Sequence, residues 1–140
     1  MTAARPAVDR FLDDELARYR LPPDRLVLVG FSQGTMLALH VGLRRQAPAC
    51  IVDYSGLLVG AEHLAEISAR PPVMLIHGEV DDLIPVAALH LAREQLAAAE
   101  VLVEWHVRPG LGHGIDPVGQ MLGGHFMASA LKGRRSAPAP

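Results

Sequence analysis

The sequence is poor in the residues that build disulfide-bonded or thiolate-metal proteins. Cys50 is the one cysteine among 140 residues, so no internal disulfide can form and no metal site can be built from thiolates. A lone cysteine is typical of a reducing compartment, and we expect a cytoplasmic protein. Aromatic residues make up 4% of the chain while 50% of it is hydrophobic, which predicts an aliphatic core.

Long apolar runs and a charge excess are also missing. No stretch approaches the ~20 apolar residues that span a bilayer, and the first residues lack the apolar core of a signal peptide. The formal net charge is −2, from 13 Lys and Arg against 15 Asp and Glu, which gives no reason to expect a nucleic acid or an anionic membrane as partner. We expect a small neutral ligand, with neither cofactor nor metal.

The chain is long enough for a single domain, expected over residues 1–140, with residues 1–6 and 133–140 as flexible tails. Helical patterns alternate along it with solid apolar runs. Helices are predicted at 7–20, 36–47, 86–100 and 117–131, and strands at 26–29, 50–52, 73–76 and 101–107. This order predicts an α/β fold in three layers, with a mostly parallel sheet of about four strands and helices on both faces.

A G-x-S-x-G motif lies at Gly30 to Gly34, between a predicted strand and a predicted helix. In that context the sharp turn strains the backbone of Ser32 and presents its hydroxyl above the sheet, beside a helix N-terminus that favours a developing oxyanion. Both glycines are expected to let the strand and the helix approach closely. The alternative is a glycine-rich connection with an incidental serine, but the strand-turn-helix context favours a nucleophile.

A serine hydroxyl needs a base and a group that orients the base. Asp81 follows the third predicted strand and His113 follows the fourth, and both therefore lie at the carboxyl edge of a parallel sheet, where such folds place their sites. Ser, then Asp, then His is the chain order of α/β-hydrolases. The six other histidines fall in helices, strands or connections, where a structural role is the default.

Three motifs together, Gly-Phe-Ser-Gln-Gly, His-Gly-x-x-Asp ending at Pro85, and Gly-Leu-Gly-His, resemble the phospholipase/carboxylesterase family, which includes the acyl-protein thioesterases. The resemblance runs from about residue 8 to residue 131. It implies a truncated α/β-hydrolase fold with Ser32 as nucleophile, Asp81 as acid, His113 as base and the backbone amide of Gln33 as one oxyanion donor. Asp82 could also serve as the acid, but the family motif places the acid four residues after the histidine.

The family's full domain has several strands before the nucleophile, and this chain has one helix there. The strand at 26–29 is therefore expected to be an apolar edge strand, which invites another chain. We expect a homodimer or a higher oligomer that covers this edge. No segment before Ser32 matches the loop that donates the second oxyanion amide, and losing one such donor typically costs ~10²–10³ in turnover.

The motifs and the family resemblance leave two functions open. The first is a serine carboxylesterase that cleaves small uncharged esters or thioesters through an acyl-serine intermediate. The second is a weak or inactive remnant that binds an acyl ligand or a partner protein. The persistence of all three candidate residues favours catalysis.

Overall fold

The computed structural model describes residues 2–58 and 60–133. Helices and strands alternate along these residues, and two short 3-10 helices lie at Pro23–Arg25 and Ala61–Glu66. The α-helices are α1 (Arg5–Tyr19), α2 (Gln33–Gly42), α3 (Ala87–Ala98) and α4 (Pro117–Gly133), and the strands are β1 (Val27–Phe31), β2 (Cys50–Tyr54), β3 (Val73–Gly78) and β4 (Val103–Arg108).

The strands form one parallel sheet in the order β1-β2-β3-β4. Helices α2 and α3 pack on one face around a core that includes Leu39, Ile51 and Leu96. Helix α4 packs on the other face, where Phe126 meets Val52 and its neighbours. The predicted three-layer α/β fold, with about four parallel strands and helices on both faces, is confirmed.

Helix α1 begins earlier than the sequence pattern predicted. Arg5 and Pro6 belong to its first turn, so the predicted flexible tail at residues 1–6 is wrong at its last two positions. Proline suits the first turn because that turn needs no amide donor. The Arg5 guanidinium also bonds to Asp9 Oδ2 at 3.1 Å and to the carbonyl oxygen of Arg44. The predicted tail at the other end lies outside the described residues from 134 onward.

The strands extend further toward their carboxyl ends than predicted. Strand β1 reaches Phe31 rather than Val29, and β2 reaches Tyr54 rather than Val52. Because all four strands are parallel, their carboxyl ends meet at one edge of the sheet. Across the described residues, no helix combines the length and apolar character needed to cross a membrane.

Candidate active site

Ser32 occupies the turn between β1 and α2, and it is the one residue that separates them. Its backbone has φ 55° and ψ −116°, a left-handed conformation that costs a non-glycine residue about 1–3 kcal/mol. The Ser32 amide donates to the carbonyl oxygen of Tyr54 at 2.9 Å, and the Thr35 hydroxyl donates to the same oxygen at 2.9 Å. The end of β2 therefore holds the strained turn in place.

The two glycines of the motif differ in their surroundings. A Cβ on Gly30 would lie 2.5 Å from the backbone nitrogen of Thr35, so only glycine lets the strand pass this close to the helix. A Cβ on Gly34 would meet nothing within 4 Å. The expectation that both glycines permit close packing is therefore correct for Gly30 and wrong for Gly34, which faces open space.

His113 lies on the loop between β4 and α4, and this loop is fastened to the loop after β3. The Val80 amide donates to the carbonyl oxygen of Leu111 at 3.0 Å. A Cβ on Gly78 would lie 2.2 Å from the carbonyl oxygen of Gly112, so glycine is needed where the end of β3 contacts the loop that carries His113. The ring of His113 also packs on Phe31, with ring centroids 5.0 Å apart.

Asp81 lies just past the end of β3 with its carboxylate fully buried. Its Oδ1 accepts the backbone amides of Leu83 and Ile84, both at 2.9 Å. Burial by itself raises the pKa of this carboxyl, but the hydrogen bonds from Ile84, the His113 ring and Leu83 outweigh it and hold the pKa below its usual value. Asp81 is therefore an ionised acceptor at neutral pH.

The three residues form one hydrogen-bonded series. Nδ1 of His113 lies 2.7 Å from Oδ2 of Asp81, and Nε2 of His113 lies 3.1 Å from Oγ of Ser32. Since an ionised carboxylate can only accept, the ring proton belongs on Nδ1 and Nε2 accepts from the serine hydroxyl. This is the protonation state that a base beside a serine nucleophile requires.

The other candidate positions are not part of this series. Asp82 is exposed on the loop, whereas its neighbour Asp81 is buried. Gln33 is the first residue of α2, so its backbone amide is among those at the helix start that have no partner within the helix. His77, the first residue of its motif, is buried with Nε2 2.7 Å from the carbonyl oxygen of Ile84 and 3.4 Å from Oδ2 of Asp81.

Large hydrophobic side chains are exposed close in sequence to Ser32, Asp81 and His113. Phe31, Leu83 and Ile115 are each more than 40% exposed, although they are large hydrophobic residues. An open depression of about 300 Å³ lies at the start of α2, and its lining includes Gln33 and Gly34. Within residues 2–58 and 60–133, no group of three or more histidine, cysteine or acidic side chains is arranged to hold a metal ion.

Sequence reasoning missed the residues beneath the turn. Thr35 and Tyr54 support Ser32 through hydrogen bonds, and Asp53 is an acid buried in the middle of the sheet. The available signal was the acid in Cys-Ile-Val-Asp-Tyr, an otherwise apolar run. The predicted strand ended at Val52, and Asp53 was therefore left outside the core.

Parallel strands that present a serine on a strained turn, an aspartate and a histidine in this chain order define the α/β-hydrolase class. The family model described as Phospholipase/Carboxylesterase matches residues 1–129. The chain belongs to that family.

The comparisons with individual proteins agree with this assignment. Acyl-protein thioesterase 1 of Gibberella zeae is 33% identical over 102 residues, which cover 68% of this chain and 43% of that protein. The crystal structure of esterase PE8 superposes with a TM-score of 0.89 at 39% identity and covers 93% of this chain and 61% of that one. Arabidopsis thaliana SOBER1, at 24% identity and a TM-score of 0.88, shares the fold. The chain spans less than two thirds of these relatives' lengths.

Proposed function

We propose that the protein is a serine hydrolase that cleaves small uncharged carboxylic esters or thioesters. The observation that carries the proposal is the hydrogen-bonded series from Ser32 through His113 to Asp81. Family membership supports it, since the relatives are named as thioesterases and esterases. The large hydrophobic side chains exposed close in sequence to these three residues support an uncharged substrate, and the lone buried cysteine supports a cytoplasmic location.

The chemistry follows from the positions of the atoms. Nε2 of His113 takes the hydroxyl proton while Oγ of Ser32 attacks the carbonyl carbon, and Asp81 stabilises the imidazolium that forms. The backbone amide of Gln33 donates to the tetrahedral oxyanion, with help from the partial positive charge at the start of α2. The leaving alcohol or thiol takes the proton from His113. Water, activated by the same nitrogen, then hydrolyses the acyl-serine and regenerates the free enzyme.

The test is hydrolysis of nitrophenyl acetate by the wild type, by Ser32→Ala and by a control, Ser68→Ala, whose side chain is exposed on a loop. We expect the first substitution to abolish turnover above background and the control to retain it. A fluorophosphonate probe should label the wild type and the control alone. Equal rates of nitrophenyl acetate hydrolysis in all three proteins, with no fluorophosphonate labelling of the wild type, would instead favour a non-catalytic remnant.

We further propose that a second copy of the chain covers the outer edge of β1. The backbone oxygen of Leu26 accepts from the residue just before β2, and the Ser32 amide donates to the last residue of β2. Alternation therefore turns the backbone groups of Val27, Val29 and Phe31 outward. The strand carries no charged residue, and the side chains of Val29 and Phe31 are 54% and 41% exposed.

The opposite edge of the sheet is formed by β4, which carries charged side chains. Strand β4 carries Glu104, His106 and Arg108, and Nε2 of His106 lies 3.2 Å from Oε2 of Glu104. Arg108 bonds to Asp116 at 2.9 Å. Charged side chains on an edge strand oppose further strand addition. The β1 edge, which lacks them, is therefore the edge suited to pairing with another chain.

Light scattering at micromolar concentration tests this assembly. We expect a dimer or larger for the wild type and a monomer for Val29→Lys, which places a charge on the apolar edge. The matched control is Leu102→Lys, at a residue that is 56% exposed just before β4. A monomeric wild type, or equal masses for wild type and Val29→Lys, would contradict the proposal.

A further inference from the structure

Asp53 is an acidic side chain inside the hydrophobic core, beneath the Ser32 turn. It lies in the middle of the sheet, beside Gly30 of β1 and Leu75 of β3 in the strand register. Every residue of β2 is buried, and its four other residues are a cysteine, two aliphatic residues and a tyrosine. A carboxyl group at this position therefore needs a specific explanation.

The carboxyl group has no partner among the described residues. Asp53 is 2% exposed, and neither Oδ1 nor Oδ2 makes a hydrogen bond to a described protein atom. Burial raises the pKa of Asp53 well above its ordinary value. Burial therefore favours the protonated form of the side chain, which has one hydroxyl donor, and leaving such a buried group unpaired costs about 1–3 kcal/mol.

A small cavity adjoins this carboxyl group. Its volume is about 10 Å³, close to the least that one water molecule requires. Three polar side chains contribute to its lining, Thr35, Asp53 and His77, and the remaining wall is apolar or glycine. A buried water makes about three hydrogen bonds, so the cavity has both the size and the partners for one water molecule.

The hydrogen bonds already present fix what each partner can offer. The Thr35 hydroxyl donates to Tyr54, so its oxygen is left as an acceptor. Nε2 of His77 lies 2.7 Å from the carbonyl oxygen of Ile84, which can only accept, so the proton of the neutral ring is on Nε2 and Nδ1 is an acceptor. Neutral Asp53 supplies the donor. One donor and two acceptors match the capacity of a single water.

We propose that one water molecule occupies this cavity, accepts the Asp53 hydroxyl and donates to Nδ1 of His77 and to Oγ1 of Thr35. Asp53 is then a positioning residue. Through the water it favours the Nε2–H tautomer of His77, whose Nε2 lies 3.4 Å from Oδ2 of Asp81. Through the same water it supports Thr35, which holds the backbone of the Ser32 turn.

The two carboxyl groups around His77 explain why the state of its ring matters. Asp81 is ionised on the Nε2 side, and Asp53 is neutral across the cavity, while α2 and α3 contribute apolar side chains such as Leu39 and Leu89. In the opposite tautomer, Nε2 would have no proton to donate to the carbonyl oxygen of Ile84 or toward Asp81. The proposed water opposes that tautomer, because it donates to Nδ1.

The experiment compares the wild type with Asp53→Asn, whose amide can still donate to the water, and with Asp53→Val, which cannot. In ¹⁵N spectra, with the His77 signal assigned by its loss in His77→Gln, we expect Nδ1 to show a hydrogen-bonded shift in the wild type and in Asp53→Asn. In Asp53→Val it should move to the shift of an unbonded nitrogen. Identical His77 shifts in all three proteins would overturn the proposal.

Two measurements on the wild type keep the test valid if a variant does not fold. Infrared spectra at neutral pH should contain the carbonyl band of a buried protonated carboxyl group, and a crystal structure should show one water in the cavity. An ionised Asp53 or a dry cavity would each refute the water-mediated contact. None of these readouts uses hydrolysis, so an inactive Ser32 would refute the proposed function and leave this inference intact.

Discussion

Replacement of Asp81 by asparagine isolates the contribution of one hydrogen bond to the proposed reaction. In Asp81→Asn, Oδ1 can still accept the backbone amides of Leu83 and Ile84, which lie 2.9 Å from it in the wild type. The amide nitrogen, however, replaces the oxygen that lies 2.7 Å from Nδ1 of His113. A donor at that position favours the opposite tautomer, in which Nε2 carries the proton and cannot accept one from Ser32.

The same substitution in the Ser-His-Asp template lowers kcat roughly 10⁴-fold, which corresponds to about 5 kcal/mol of transition-state stabilisation. We expect a loss of this order in nitrophenyl acetate hydrolysis. The loss of a charge-assisted bond should lower stability by only about 1–3 kcal/mol, so the variant should remain folded by circular dichroism.

The matched control is Asp82→Asn, which removes the same charge from the exposed neighbouring residue. Its rate should stay within about twofold of the wild type, since surface substitutions change free energies by roughly 0.5 kcal/mol or less. The reasoning fails if Asp82→Asn reduces turnover as much as Asp81→Asn does, or if Asp81→Asn leaves the rate unchanged.

Two further predictions concern stability, measured by urea unfolding. Gly30→Ala should lower the free energy of unfolding by about 1–3 kcal/mol, because its Cβ would lie 2.5 Å from the backbone nitrogen of Thr35. Gly34→Ala, whose Cβ meets nothing within 4 Å, should leave it nearly unchanged. Similar losses at both positions would contradict the packing argument. The pKa of Asp53 is raised on folding, so the wild type loses stability from this residue as pH rises above the unfolded value of about 3.9. Asp53→Asn should remove that loss, so the stability of the wild type relative to Asp53→Asn should fall as pH rises above about 4. The pKa of Asp81 is lowered, so its contribution has the opposite sign and is lost as pH falls through the folded value. Parallel pH profiles for the wild type and Asp53→Asn would show that Asp53 is not buried in its neutral form.

Local sequence patterns were enough to predict the layers of the fold and the three candidate catalytic residues. Solid apolar runs alternating with helical patterns require parallel strands joined by crossovers, and the carboxyl ends of such strands must share an edge. Ser32, Asp81 and His113 each follow a different strand, so local patterns were enough to place them at that edge. The family resemblance then favoured Asp81 over Asp82 as the acid, which stays a prediction; of the two residues, Asp81 is buried and Asp82 is exposed.

The contacts that support these residues could be read only from the folded chain. Gly30 is confined and Gly34 is open because of what packs against each, and no local pattern contains that information. Asp53 was missed because an acid normally ends an apolar strand, and only the packing of α2 and α3 over the sheet encloses it. Side chains distant in sequence come together to form the cavity beside Asp53 and the bonds beneath Ser32, so their geometry exists only in the folded chain.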